Sequence, residues 1–167
     1  MRAFLDAETL EFIQSGEVAL YVAGCDAFRR SHAVRAFTCR PSEDGRSLTT
    51  WVARSAASAV LADVASNARL AFTVSHIDTC RTLQLKSVDA QVLPADSADY
   101  ARIIAYQDGF VRQTMSLGYL EAVVRSTIQL QLHDLAAIRF TPSSAFMQTP
   151  GPGAGAALGQ DAREPAA

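Results

Sequence analysis

The 167-residue chain reads as an α+β domain, a mostly antiparallel β-barrel of six to seven strands with peripheral helices. Three observations predict it. Short β-rich segments are joined by tight turns, so consecutive strands fall antiparallel. Two helical segments interrupt them, one after the third strand and a longer one before the last strand pair. A change of side-chain parity near Lys86 and Ser87 predicts a β-bulge, a bend that lets a sheet curl toward closure.

Taken in order, Asp6 reads as the N-cap of a short first helix, with Leu5 and Leu10 placed as a hydrophobic staple and Gly16 releasing the chain. Strands follow at 18–22 and 33–39, separated by the polar break 26–31. In Pro41-Ser42-Glu43-Asp44-Gly45, Pro fixes φ and Asp-Gly supplies a positive-φ position, so strand 47–52 completes a hairpin. Ser55 is placed to cap a second helix whose apolar stripe is Val60, Leu61 and Val64, closing at Asn67. Next come a strand at 70–74 and a long one at 82–93, where Leu83 and Leu85 share one face and Val88, Ala90 and Val92 follow the other parity. Asp96 or Ser97 opens the long helix, with Tyr100, Ile103, Ile104, Gln107 and Val111 on one side, and 119–124 reads as a shorter helical continuation. A last pair, 128–132 and 136–140, turns at His133-Asp134 and ends at Thr141-Pro142. One domain over 1–149 is expected, because the Gly/Pro/Ala-rich segment 150–167 buries too little surface to offset its ordering entropy and reads as a flexible tail.

Composition narrows the function. Fifteen Lys and Arg against seventeen Asp and Glu leave a formal charge of −2, and no basic cluster offers a nucleic acid its phosphate contacts. Nothing approaches the ~18 apolar residues of a membrane span, and Asp6 interrupts the start before an apolar leader forms, so no membrane partner and a cytoplasmic location are expected. Cys25, Cys39 and Cys80 lack C-x-x-C spacing and read as ordinary reduced thiols. His32, His76 and His133 stand apart without metal-ligand spacing, so no metal site is predicted. The absence of G-x-S-x-G, P-loop and G-x-G-x-x-G patterns leaves hydrolase and nucleotide-triphosphatase readings unsupported.

Three stretches, Asp44-Gly45-Arg46-Ser47-Leu48-Thr49-Thr50-Trp51, Ser66-Asn67-Ala68-Arg69-Leu70-Ala71-Phe72-Thr73-Val74 and Arg81-Thr82-Leu83-Gln84-Leu85-Lys86-Ser87, fall in an order and spacing that resembles the pyridoxamine-phosphate-oxidase-like FMN-binding split barrels. Ile138-Arg139-Phe140-Thr141-Pro142 and Gln148-Thr149-Pro150-Gly151-Pro152-Gly153 extend the likeness. The resemblance implies a split β-barrel working as a homodimer, with a flavin in each groove between the subunits and hydride transfer to or from a small-molecule substrate. It places Arg35 at the phosphate, Thr49, Thr50 and Trp51 beside the cofactor, and Arg54 with Ser55 at the start of the following helix. Thr82 would face the ring, with Gln84 and Lys86 on the same strand face. A deazaflavin is an equivalent cofactor on these residues. Haem, with His32, His76 or His133 as axial ligand, is a further alternative.

Two departures matter. Relatives that hold FMN tightly carry a basic residue where this chain reads Ser55-Ala56-Ala57-Ser58, and Ser87 stands where relatives often have Gly. Losing one partner of a desolvated charge pair costs about 2–5 kcal/mol. The rival expectation is therefore a non-catalytic split-barrel ligand-binding dimer with weak or lost flavin binding.

Overall fold

Asp6 caps the first helix, α1 (Ala7–Gln14), by accepting the Thr9 N–H at 2.8 Å, and Gly16 at φ +75° turns the chain into β1 (Val18–Cys25). The computed structural model describes residues 5–158. After β1 come β2 (Ser31–Pro41), β3 (Leu48–Ala53), α2 (Ser58–Asn67), β4 (Leu70–His76), β5 (Thr82–Ser87) and β6 (Gln91–Pro94). The long helix α3 (Ser97–Ser116), α4 (Glu121–Thr127), β7 (Leu135–Phe140), β8 (Ser144–Met147) and β9 (Ala157–Leu158) complete the described residues. Among the described residues no helix is long and apolar enough to cross a membrane.

Among the described residues nine strands join one antiparallel sheet, in the order β6-β7-β3-β2-β1-β4-β5-β8-β9. Chain connectivity forces that sheet to coil. On a flat sheet β5 and β6 would lie six spacings, about 29 Å, apart, yet residues 88–90 alone join them and span at most about 14 Å. The α+β antiparallel class is as expected, with more strands than the six to seven read from the sequence, and the ladder remains open between β6 and β9.

Three local expectations are corrected. The predicted strand 82–93 is two strands, because the Ser87 hydroxyl donates to Asp89 at 2.7 Å and the Asp89 N–H returns to Ser87 Oγ, turning the chain between them. The bulge lies instead in β2, where Thr38 takes φ +52° and the register with β3 shifts between Phe37 and Cys39. Residues 128–132 are not a strand: Ile128 and Leu130 enter the core from irregular backbone, and β7 pairs with β3 and β6. Segment 150–158 folds back, with Gly155 N–H donating to the Met147 carbonyl at 2.7 Å and β9 pairing with β8, while 159–167 lie outside the described residues.

Strand alternation sorts side chains onto two faces. One is the barrel interior, filled by Leu20, Val22, Leu48, Val52, Phe72, Leu85 and Phe140, all essentially unexposed. Phe72 and Phe140 pack with ring centroids 5.3 Å apart. Burying each such side chain stabilises by about 1.5–3 kcal/mol. The helices α1, α2 and α3 pack on β1, β2 and β6. Tyr106 of α3 donates to the Val18 carbonyl at 2.8 Å, and Gly109 lets the helix approach Gly16 so closely that a Cβ there would lie 3.2 Å from the Gly16 oxygen.

Candidate functional site

With the interior filled, the face that positions chemistry is the outer one. Over β2, β3 and β7 it is sealed, since Phe37, Trp51, Leu135 and Ala137 are all buried. Over β1, β4 and β5 it stays half-exposed. Register places Tyr21 opposite Thr73 and Thr73 opposite Gln84, with Ala23, Ala71 and Lys86 two residues further along the same three strands. Tyr21 is 42% exposed, the Gln84 amide donates to Thr73 Oγ1 at 3.4 Å, and the Lys86 ammonium stands 4.8 Å from the Phe146 ring centroid.

The residues expected to contact a cofactor fall into three places. Thr82, Gln84 and Lys86 share the half-exposed face, as their alternation implies. Thr82 is anchored there: its N–H donates to Thr149 Oγ1 at 2.9 Å and its hydroxyl bonds Ser75 and the Cys80 carbonyl.

Arg35 shares that outer face, since it pairs with Tyr21 and its guanidinium carbon lies 5.9 Å from the Tyr21 ring centroid, but Thr49, Thr50 and Trp51 do not join them. Thr50 points into the barrel, unexposed, and donates to the Thr38 carbonyl at 2.8 Å, so it fixes the β2 bulge. Trp51 is sealed on the other face with the Arg40 guanidinium 5.9 Å from its ring, and its Nε1 has no hydrogen-bond partner. Thr49 is half-buried on that face, opposite Arg40 and Arg139. Arg35 lies under α3, its guanidinium carbon 4.2 Å from the Phe110 ring centroid and its Nε and Nη2 enclosed without a hydrogen-bond partner. Cation–π attraction offsets part of that cost. Beside it, burial pushes the Tyr106 phenol up to about 12, against the opposing pull of the Arg35 charge.

Arg54 and Ser55 form the third group, and both Ser55 donors and one Arg54 nitrogen are already engaged. Ser55 N–H and Oγ both donate to the Asp134 carboxylate, at 2.8 and 2.6 Å, and Arg54 Nη2 donates to the Leu135 carbonyl at 3.3 Å. Those Ser55 hydrogen bonds hold the Asp134 carboxyl below the usual carboxylate value. The expectation that Ser55 caps the next helix is also corrected: α2 begins at Ser58, with Ala57 at its N-cap and no side-chain cap. An anion seat built on Arg35, Thr50 and Arg54 is therefore not assembled, because β-strand parity sends Arg35 and Thr50 to opposite faces.

The histidines are likewise placed by their partners. His32 Nδ1 lies 2.8 Å from buried Asp63. His76 uses Nε2 toward Glu17 at 3.2 Å and Nδ1 to accept the Asp78 and Thr79 N–H groups, which leaves neither nitrogen free for an iron. His133 is exposed. Among the described residues no three His, Cys, Asp or Glu gather as a metal site. Burial raises the Cys39 thiol far above its ordinary value, which keeps it protonated.

The site elements that sequence reasoning missed are Arg69, Ser143 and Ser144, which line a cavity with Lys86. Arg69 follows α2 and the two serines follow β7, so no local pattern joins them; only pairing of β5 with both β4 and β8 does.

No protein-family model matches the chain. No curated protein matches it either. Solved structures do, at the level of fold. A HupZ variant from Group A Streptococcus superposes with a TM-score of 0.52 at 9% identity, covering 86% of this chain and 99% of that one. An F420 reductase gives 0.50 at 13% identity, covering 81% and 94%. A candidate pyridoxamine 5'-phosphate oxidase from Lactobacillus delbrueckii gives 0.50 at 10% identity, covering 85% and 93%. Together with the coiled antiparallel sheet and its peripheral helices, these likenesses give the chain the split-barrel fold of the pyridoxamine 5'-phosphate oxidase-like proteins.

Proposed function

We propose that this chain works as a homodimeric split barrel that carries a flavin-class cofactor, FMN or a deazaflavin, on the outer face of β1, β4 and β5, and passes a hydride between it and a small-molecule substrate. The observation that supports this is the character of that face: open antiparallel sheet presenting Tyr21, Thr73, Gln84 and Lys86 together, whereas the interior and the rest of the outer face are filled. A flat ring system needs an aromatic or aliphatic surface to lie on and a few placed polar groups to orient it. Tyr21 supplies the first; the Thr73 hydroxyl and Gln84 amide supply the second. Lys86 contributes positive charge, which favours an anionic reduced flavin. The bound flavin would supply the hydride acceptor, and a second subunit laid over the face would exclude water.

The fit divides at the phosphate. The ring face suits a flavin, but the Arg54–Ser55 position does not suit its phosphate, because Asp134 already takes both Ser55 donors. Moderate affinity and an exchangeable cofactor follow. Freshly purified protein is expected to show flavin absorbance or to take up FMN, with dissociation near the micromolar range, and to sediment as a dimer. No uptake at ~100 µM FMN, where even a binding free energy near −5.5 kcal/mol half-fills the site, eliminates the reading.

The same Asp134 contact favours a second reading, a non-catalytic dimer that binds a ring ligand without redox turnover. Oxidation of NADH or NADPH by the FMN-loaded protein would exclude it.

A further inference from the structure

At one end of the half-exposed face lies a cavity of about 350 Å³. Arg69, Lys86, Ser143 and Ser144 line it, over an apolar floor that includes Ala23 and Ala71. Its charge is one-sided, two cations and no carboxylate among the lining residues. Among the described residues neither the Arg69 guanidinium nor the Lys86 ammonium has an ion-pair partner, and the Ser144 hydroxyl has no hydrogen-bond partner. The acids next in sequence to the lining are held elsewhere. Asp26 binds Arg30 Nε at 2.7 Å, and Asp89 accepts the Ser87 hydroxyl at 2.7 Å and the Thr141 N–H at 2.8 Å.

Two solvated surface cations would need no explanation if they diverged. Here antiparallel pairing brings both exposed cations to one concavity with an apolar wall, and two like charges on one concavity add their attraction for an anion. The Ser143 hydroxyl donates to the Lys86 carbonyl at 3.1 Å, which pins the β5–β8 wall. An anionic group with a small apolar body matches both halves of the cavity. The Tyr21–Thr73–Gln84 row lies two residues, about 7 Å, along the same strands.

We propose that this cavity is an anion seat, in which Arg69 and Lys86 receive the phosphate or carboxylate of a small ligand whose apolar part rests on Ala23 and Ala71. Its position deepens the flavin reading, since the anion would belong either to the cofactor's own phosphate or to the substrate, but the seat itself can be tested without a flavin.

The test is titration of the full-length protein with inorganic phosphate, followed through the backbone amide resonances, against sodium chloride at matched ionic strength. Phosphate is expected to shift the amides of Lys86, Ser143 and Ser144 selectively. Arg69→Gln should weaken that binding about tenfold and Arg69→Gln with Lys86→Gln about a hundredfold, while Arg69→Lys retains most of it. Equal shifts with chloride, or undiminished phosphate binding by a double variant whose far-ultraviolet circular dichroism is unchanged, overturn the proposal. Titrating FMN and riboflavin into the same proteins separates the sources. A loss of FMN affinity with riboflavin unaffected assigns the seat to the cofactor phosphate; unchanged FMN binding with weakened phosphate binding assigns it to the substrate. If the wild-type protein takes up no FMN, the flavin reading fails and the phosphate titration still decides the seat.

Discussion

Gly24 stands opposite His32 in the β1–β2 ladder, and α2 presses on it. A Cβ there would lie 2.7 Å from the Asp63 Cβ, and Asp63 cannot swing aside because its carboxylate is buried against His32 at 2.8 Å. Gly24→Ala should therefore push α2 off β1 and destabilise the protein by about 1–3 kcal/mol, read as a lower urea midpoint; an unchanged midpoint would mean that the helix shifts freely. Position by position, the sequence was a good guide where a side chain acts on its own neighbourhood, as Asp6 does at α1. It was a poor guide at Ser55, whose composition suits a helix cap but whose partner, Asp134, is seventy-nine residues away. Thr50 and Thr49 illustrate the same limit. Both are ordinary β-formers, and only the register with β2 decides that one enters the core while the other faces Arg40.

At the scale of elements, α3 carries the strongest local signature. Asp96 accepts the Ala98 N–H at 2.7 Å, and Asp99 reciprocates toward the Asp96 N–H, completing a capping box. The sequence allowed either Asp96 or Ser97 to open this helix, and the structure assigns the cap to Asp96, with Ser97 as the first helical residue. Asp96→Ala is expected to cost about 1 kcal/mol, a fall of about 2–4 °C in the thermal midpoint; Ser97→Ala should leave that midpoint in place. The β5 face was equally legible, because Thr82, Gln84 and Lys86 alternate with buried Leu83, Leu85 and Ser87. The break after Ser87 was not. A parity change is satisfied by a bulge or by a turn into a new strand, and the choice depends on β6 finding β7 as its partner.

For the molecule as a whole, acid should be the weak direction. Asp26, Asp44, Asp89 and Asp134 all sit below the ordinary carboxylate value. At Asp26 the Arg30 N–H dominates, at Asp44 the Ser42 hydroxyl and at Asp134 the Ser55 hydroxyl. At Asp89 burial works the other way and is outweighed by Ser87 and Thr141. A carboxyl whose folded pKa is depressed binds fewer protons folded than unfolded. Its stabilisation is thus present above the unfolded value, near 3.9, and is lost as pH falls through the folded one. Circular dichroism in fixed urea should be flat from about pH 7 to 5 and lose folded signal below about pH 4; a folded fraction that held steady to pH 2 would contradict these hydrogen bonds.

The sequence by itself determined the α+β antiparallel class, the helix starts at Asp6 and Asp96, and the shared face of Thr82, Gln84 and Lys86, because periodicity, capping and turn chemistry are set within a few residues. Tertiary structure alone decided the nine-strand order, the enclosure of Arg35 and Trp51, the Ser55–Asp134 clasp and the meeting of Arg69 with Lys86, Ser143 and Ser144. Each of these depends on which strands pair across long sequence distances. Pairing is decided by the global burial of the sheet's faces, and a one-residue change of register would send strand side chains such as Arg35, Trp51 and Lys86 to the opposite side.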